Sequence, residues 1–133
     1  RELIYLGGGA GMAPLRSHLS YLFETVNTTR KVSFWYGARS SEDLFYQQYF
    51  EKLEAGNPNF SFHVSLSEPK PDDNLKWNIG FIHEYLHNSY LVSHNQPGEI
   101  EYYLCGPPAM IEAALKMLKN LGISDDMIAY DEF

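Results

Sequence analysis

Apolar and polar positions follow two rhythms along the 133 residues. Five short runs are dense in branched and aromatic side chains and bounded by turn formers: "LIYL" (3–6), "KVSFWY" (31–36), "FSFHVSL" (60–66), "EYYLC" (101–105) and "MIAYDEF" (127–133). These read as strands. Between them apolar residues recur at helical spacing. Leu15, Leu19, Leu22, Phe23 and Val26 mark one face behind Pro14, and Leu44, Tyr49, Phe50 and Leu53 a second. The second ends at "AGNPN", where Gly56 suits a C-cap and Pro58 a stop. Phe81, Ile82, Leu86 and Tyr90 form a third face; Ile111, Leu115, Leu118 and Leu121 form a fourth, closed by Gly122.

Strand and helix alternating in this way predicts a parallel sheet covered by helices on both faces. Ligands of such sheets settle outside the carboxyl ends of the strands. Three strand exits are marked by glycine or proline, at residues 7–14, 37–40 and 105–108. They are expected to converge on one crevice.

Composition narrows the function classes. A formal net charge of −7 disfavours nucleic acid, whose binding rests on Lys and Arg neutralising phosphates, but leaves room for one diphosphate held by backbone amides. Cys105 is the only cysteine, so no internal disulfide forms, in keeping with a reducing compartment. No apolar run approaches the ~18 residues of a membrane span. "EPKPDDN" (68–74) reads as a surface loop. The chain opens directly on the strand "ELIYL", which suggests a piece of a longer protein.

The stretch "YLGGGAGMAPLRSHL" (5–19) carries G-x-G-x-x-P at Gly9, Gly11 and Pro14, after a strand and before a helix. That context gives the motif weight. Free amides at the helix start, aided by the helix dipole, suit an anionic diphosphate. The competing reading is a tight strand–helix turn with no ligand. An ordinary dinucleotide fold also places an acid at the end of the second strand to bind ribose. Here that strand ends "WYGARSSED", with no acid at its tip. "HEYLH" (83–87) matches a zinc-hydrolase helix, in which His83 and His87 would ligate metal and Glu84 activate water. No third ligand follows at a recognised spacing, so a helix face carrying two histidines is the plainer reading.

"GGGAGMAP", "YGARS" and "CGPPAM", in this order, resemble the nucleotide domain of ferredoxin-NADP⁺ reductase-type flavoproteins. Within that family, "SFWYGARS", "NIGFIHEYL", "EYYLCGPPAM" and "MLKNLGI" are similar to the F subunits of bacterial Na⁺-translocating NADH:quinone oxidoreductases. The resemblance implies a five-stranded parallel sheet of order 3-2-1-4-5, with residues 1–133 a single NADH-binding domain. It places the nucleotide on Gly8, Gly9, Ala10, Gly11, Met12 and Pro14, and on Gly37, Ala38 and Arg39. Ser67 and Glu68 would read the ribose after the third strand, which answers the missing acid, and Cys105, Gly106, Pro107 and Met110 would lie beside the nicotinamide. Cys105, Glu132 and the C-terminal aromatic Phe133 are implied at the reacting centre, and "GFIH" becomes the start of the third helix. The implied reaction is hydride transfer from NADH to FAD in an upstream domain, then electron transfer to a 2Fe-2S centre and quinone. The implied setting is a membrane respiratory complex with other subunits, at the cytoplasmic face of the bacterial inner membrane. Nothing here matches the FAD-binding R-x-Y-S motif or a ferredoxin cysteine cluster. Other flavin-dependent NAD(P)H reductases, and a non-redox nucleotide-binding or interaction module, are the alternatives.

Overall fold

The computed structural model describes residues 1–9, 12–73 and 76–132. Its elements are β1 (Leu3–Gly8), α1 (Ala13–Ser20), β2 (Val32–Ala38), α2 (Gln47–Gly56) and β3 (Phe60–Leu66), followed by β4 (Asn78–Ile79), α3 (Ile82–Ser89), β5 (Glu101–Gly106), α4 (Pro108–Asn120) and β6 (Ile128–Glu132). All strand pairs are parallel. The sheet runs β4-β3-β2-β1-β5-β6.

The expected sheet of five strands in the order 3-2-1-4-5 is therefore corrected to six. The added strand, β4, is two exposed residues at the edge, paired with Ser65 and Leu66. It rests on Asn78, whose Nδ2 donates to Ser65 Oγ at 3.0 Å, and on Ser65, whose Oγ donates to the Gly80 carbonyl at 2.7 Å. Two residues carry no periodicity, so the pattern of apolar positions could not reveal it.

Alternation along the strands builds two cores, one on each face. Tyr5, Phe34 and Tyr36 point to the face covered by α1 and α2, meeting Leu15, Leu19, Phe50 and Leu53. Ile4, Leu6 and Trp35 point the other way, against Ile82 and Leu86 of α3 and Ile111 and Leu118 of α4. Burial on both faces is why the inner strands read as near-continuous apolar runs. Each fully buried Leu or Phe side chain contributes about 1.5–3 kcal/mol over exposure.

Helix ends depart from expectation in three places. The first helix becomes a π-helical turn over Tyr21–Thr25; this brings Phe23 into the core and leaves Val26 49% exposed, off the expected apolar face. The second starts only at Gln47, so Leu44 precedes it, because Tyr46 sits in the left-handed region at φ 60°. Gly56 is its last residue rather than its cap, and Asn57 terminates it in an extended conformation. Gly122 does close α4, at φ +80°.

Candidate functional site

Three strand exits meet at the carboxyl edge of the sheet. A Cβ added to Gly8 would run into the Met110 thioether and stand 2.7 Å from the Gly37 carbonyl oxygen. One added to Gly37 would meet Ile82 Cγ2 at 2.7 Å, and one on Gly106 would meet Met110 Sδ at 3.2 Å. Gly8, Gly37, Gly106 and Met110 thus form one close-packed junction of β1, β2, β5 and α4. Here the absence of side chains lets three backbones approach each other and a methionine. Gly9 serves a different need: at φ +75° it turns the chain out of β1, and Pro107 is 3.3 Å from where its Cβ would lie.

The chain enters α1 through Met12, which makes no side-chain cap, and no acidic residue stands in the first turn. The helix start therefore keeps backbone N–H groups without intrahelical partners, and Pro14 has none to waste. This is a setting for an anion. The Met12 side chain is fully buried in the core beneath α1, so only its backbone faces the loop. Ala10, Gly11 and Phe133, all expected at the site, lie outside the described residues.

Beside this loop is a cavity of about 300 Å³ lined by Pro14, Leu15, His18, Tyr103, Cys105, Asp131 and Glu132. It joins the expected residues Pro14, Cys105 and Glu132. Cys105 is 2% exposed. Burial, and secondarily the Asp131 carboxylate, push its thiol up to about 11, which keeps it neutral and unsuited to nucleophilic attack. Tyr103 donates its hydroxyl to Asp131, fixing the end of β6 against β5. Burial and that hydrogen bond push the Tyr103 phenol up to about 12. The Tyr5 hydroxyl lies 3.1 Å from His18 Nδ1, and burial lowers the His18 pKa. His18, Tyr103 and Asp131 carried no motif; they join Cys105 only as walls of one cavity that the fold assembles.

At the other end of the crevice β2 and β3 exit side by side. Ser67 N–H donates to the Ala38 carbonyl at 3.0 Å, and Glu68 N–H to the Arg39 carbonyl at 2.7 Å. The side chains of Arg39 and Glu68, 80% and 74% exposed, stand 4.0 Å apart. Opposite charges sit together where the sequence pointed to ribose recognition. The "HEYLH" helix lies on the far side of the sheet from α1. Its His87 shares a 2.8 Å hydrogen bond with Asn88, and His83 stacks on Phe81. Among the described residues no three His, Cys, Asp or Glu side chains are placed to hold a metal ion. No helix among them is long and apolar enough to cross a membrane.

A parallel sheet with helices on both faces, and a glycine-lined crevice at its carboxyl edge, are the marks of a dinucleotide-binding domain. The chain belongs to the oxidoreductase NAD-binding domain family, whose profile matches residues 5–116. It is 52% identical over 132 residues to the F subunit of the Na(+)-translocating NADH-quinone reductase of Klebsiella pneumoniae, covering 99% of this chain and 32% of that protein. Its identity to the corresponding F subunit of Haemophilus influenzae is 51%, with the same coverage. The chain thus spans about a third of the length of these curated relatives. Among solved structures, the Amycolatopsis cytochrome P450 reductase GcoB superposes with a TM-score of 0.80 at 27% identity, covering 99% of this chain and 37% of that one. The CS-b5R domains of human Ncb5or in the NAD⁺ form give 0.83 at 22% identity, covering 98% and 36%, a likeness of fold alone.

Proposed function

We propose that this chain is the NADH-binding, electron-input domain of a Na⁺-translocating NADH:quinone oxidoreductase, acting with FAD held by a neighbouring domain of the same protein. The observation that carries the reading is the shared edge of the crevice. The uncapped start of α1 lies next to the cavity lined by Cys105 and Glu132, and both open where β1 and β5 end side by side.

Hydride chemistry belongs to the nicotinamide and to the flavin, not to a side chain here. The residues of this chain bind and orient. The start of α1, with its unpartnered backbone N–H groups and positive dipole end, receives the diphosphate beside the Gly9, Gly11 and Pro14 motif. Glu68 accepts hydrogen bonds from ribose hydroxyls and repels a 2′-phosphate. Cys105, neutral and small, packs against the nicotinamide and sets its distance from the acceptor. Glu132 places a carboxylate beside the reacting centre, and Phe133 contributes the aromatic side chain expected to cover the flavin. A 2Fe-2S centre held elsewhere in the longer protein would supply the onward electron transfer to quinone, in a membrane-associated complex with other subunits at the cytoplasmic face of the bacterial inner membrane. Residues 1–133 act as one domain within a longer protein.

A change at Cys105 separates positioning from packing. In the FAD-containing protein, Cys105→Ala is expected to slow flavin reduction in stopped flow by about 10-fold or more, since ~1 Å of misplacement can cost ~10². NADH affinity should change far less. An unchanged rate of flavin reduction would remove Cys105 from the reacting centre.

A further inference from the structure

The loop after β3, expected at the surface, hides one carboxylate. Asp73 is 6% exposed. Its Oδ2 accepts two backbone N–H groups, from Ser41 at 3.0 Å and from Lys70 at 2.8 Å. The Asp73 N–H donates to the Lys70 carbonyl at 3.0 Å, and the Asp73 carbonyl accepts from Trp77 N–H at 3.2 Å. Burial alone would raise its pKa; the hydrogen bonds from Ser41 and Lys70, with the nearby Lys70 charge, more than offset this and leave it below the usual aspartate value. An ionised carboxylate gripped by backbone donors is a rigid tie.

What it ties matters. Ser41 belongs to the loop leaving β2, and Lys70 and Asp73 to the loop leaving β3. Further links cross the same gap: the Glu68 N–H to the Arg39 carbonyl, at 2.7 Å, the Arg39 and Glu68 side chains, 4.0 Å apart, and the ion pair of Lys70 with Glu42, at 3.9 Å. The ion pair is exposed and holds weakly. The side chains of Arg39 and Glu68 have little packing around them, so the backbone beneath decides which of the two a bound ribose meets. That backbone is pinned at one end by the strand pairing and at the other by Asp73.

We infer that Asp73 is a positioning residue for nucleotide choice: by clasping the β3 loop to Ser41 it presents Glu68, ahead of Arg39, to the 2′ position of the ribose, and so favours the dinucleotide without a 2′-phosphate. The inference rests on the reading of this edge as the ribose site.

The test compares kcat/KM for NADH and NADPH in the FAD-containing protein. Asp73→Ala removes the acceptor. Ser41→Pro removes the Ser41 N–H, and its hydroxyl with it, while leaving Asp73 in place. Ser40 before it is extended (φ −143°, ψ 175°), as a residue preceding proline must be, and position 41 opens a 3-10 turn, where proline is at home. Asp73→Asn keeps an oxygen for both N–H groups. The ratio of kcat/KM for NADH over NADPH is expected to fall about fivefold or more in Asp73→Ala and Ser41→Pro, through KM with kcat preserved. Asp73→Asn should stay within about twofold of the starting ratio, and Asp73→Ala added to Glu68→Ala should change it no further. An unchanged ratio in both disrupting variants, or an equal loss for both nucleotides, overturns the role of Asp73. Parent protein that does not discriminate, or Glu68→Ala with discrimination intact, overturns the ribose reading of Glu68 and the inference with it.

Discussion

Gly8 shows how much of a site one residue's missing side chain can hold together. Its neighbours are the thioether of Met110 and the carbonyl of Gly37, neither of which lies near it in sequence. The cluster of glycines in residues 7–11 was legible as a place of close approach, but the partner was not. Sequence alone points to a diphosphate as the approaching group; at Gly8 itself that group is the chain's own backbone and Met110. Gly8→Ala should therefore destabilise the domain by about 1–3 kcal/mol, the cost of overpacking a filled site. Met110→Ala in the same chain should recover only part, because the Gly37 oxygen is backbone and cannot swing away. Urea midpoints of the three proteins measure this; a Gly8→Ala midpoint equal to the parent would contradict the close packing. Asp73 makes the opposite point. Its neighbours in sequence are prolines, lysine and aspartate, the composition of a solvated loop, and burial of a carboxylate against a backbone donor 32 residues away leaves no trace in local pattern.

Among elements, the long apolar periodicities translated most directly into structure. Ile111 and Leu118 line the inner face of α4, Ile82 and Leu86 that of α3, and all four are buried. What the pattern missed lies where few residues or a special backbone decide: the two-residue β4, the π-helical turn at Tyr21–Thr25, and the left-handed Tyr46 that delays α2. The "HEYLH" stretch illustrates a motif whose spacing is set by the helix itself. His83 and His87 lie about one turn apart on α3, as any i, i+4 pair does, while Leu86 between them faces the core. His83→Ala and His87→Ala should each change stability by under about 0.5–1 kcal/mol, as half-exposed positions without a buried partner do. Thermal unfolding with and without a chelator checks this. One zinc per chain, lost in either variant with a large fall in melting temperature, would contradict it.

At the scale of the whole molecule, the chain presents a binding edge. The crevice runs along the carboxyl ends of the sheet, from Arg39 and Glu68 past the glycine junction to the cavity at Cys105 and Glu132. In the proposed reading each end takes a different part of a dinucleotide, and the electron acceptor comes to the end at Cys105. The order of motifs along the sequence made this edge legible, because a parallel sheet brings every strand exit to one side. FAD as the acceptor was legible only through the resemblance, with Phe133 implied beside it; composition and periodicity carry no sign of it. The most direct test is anaerobic rapid mixing of NADH with the chain alone and with the chain joined to an FAD-binding domain, followed at the flavin absorbance. The chain alone is expected to be colourless and to leave NADH unoxidised in the presence of ferricyanide, whereas the joined protein loses its flavin colour in a single NADH-dependent phase. Oxidation of NADH by the chain without flavin, or a joined protein whose bound flavin stays oxidised under NADH, would contradict this.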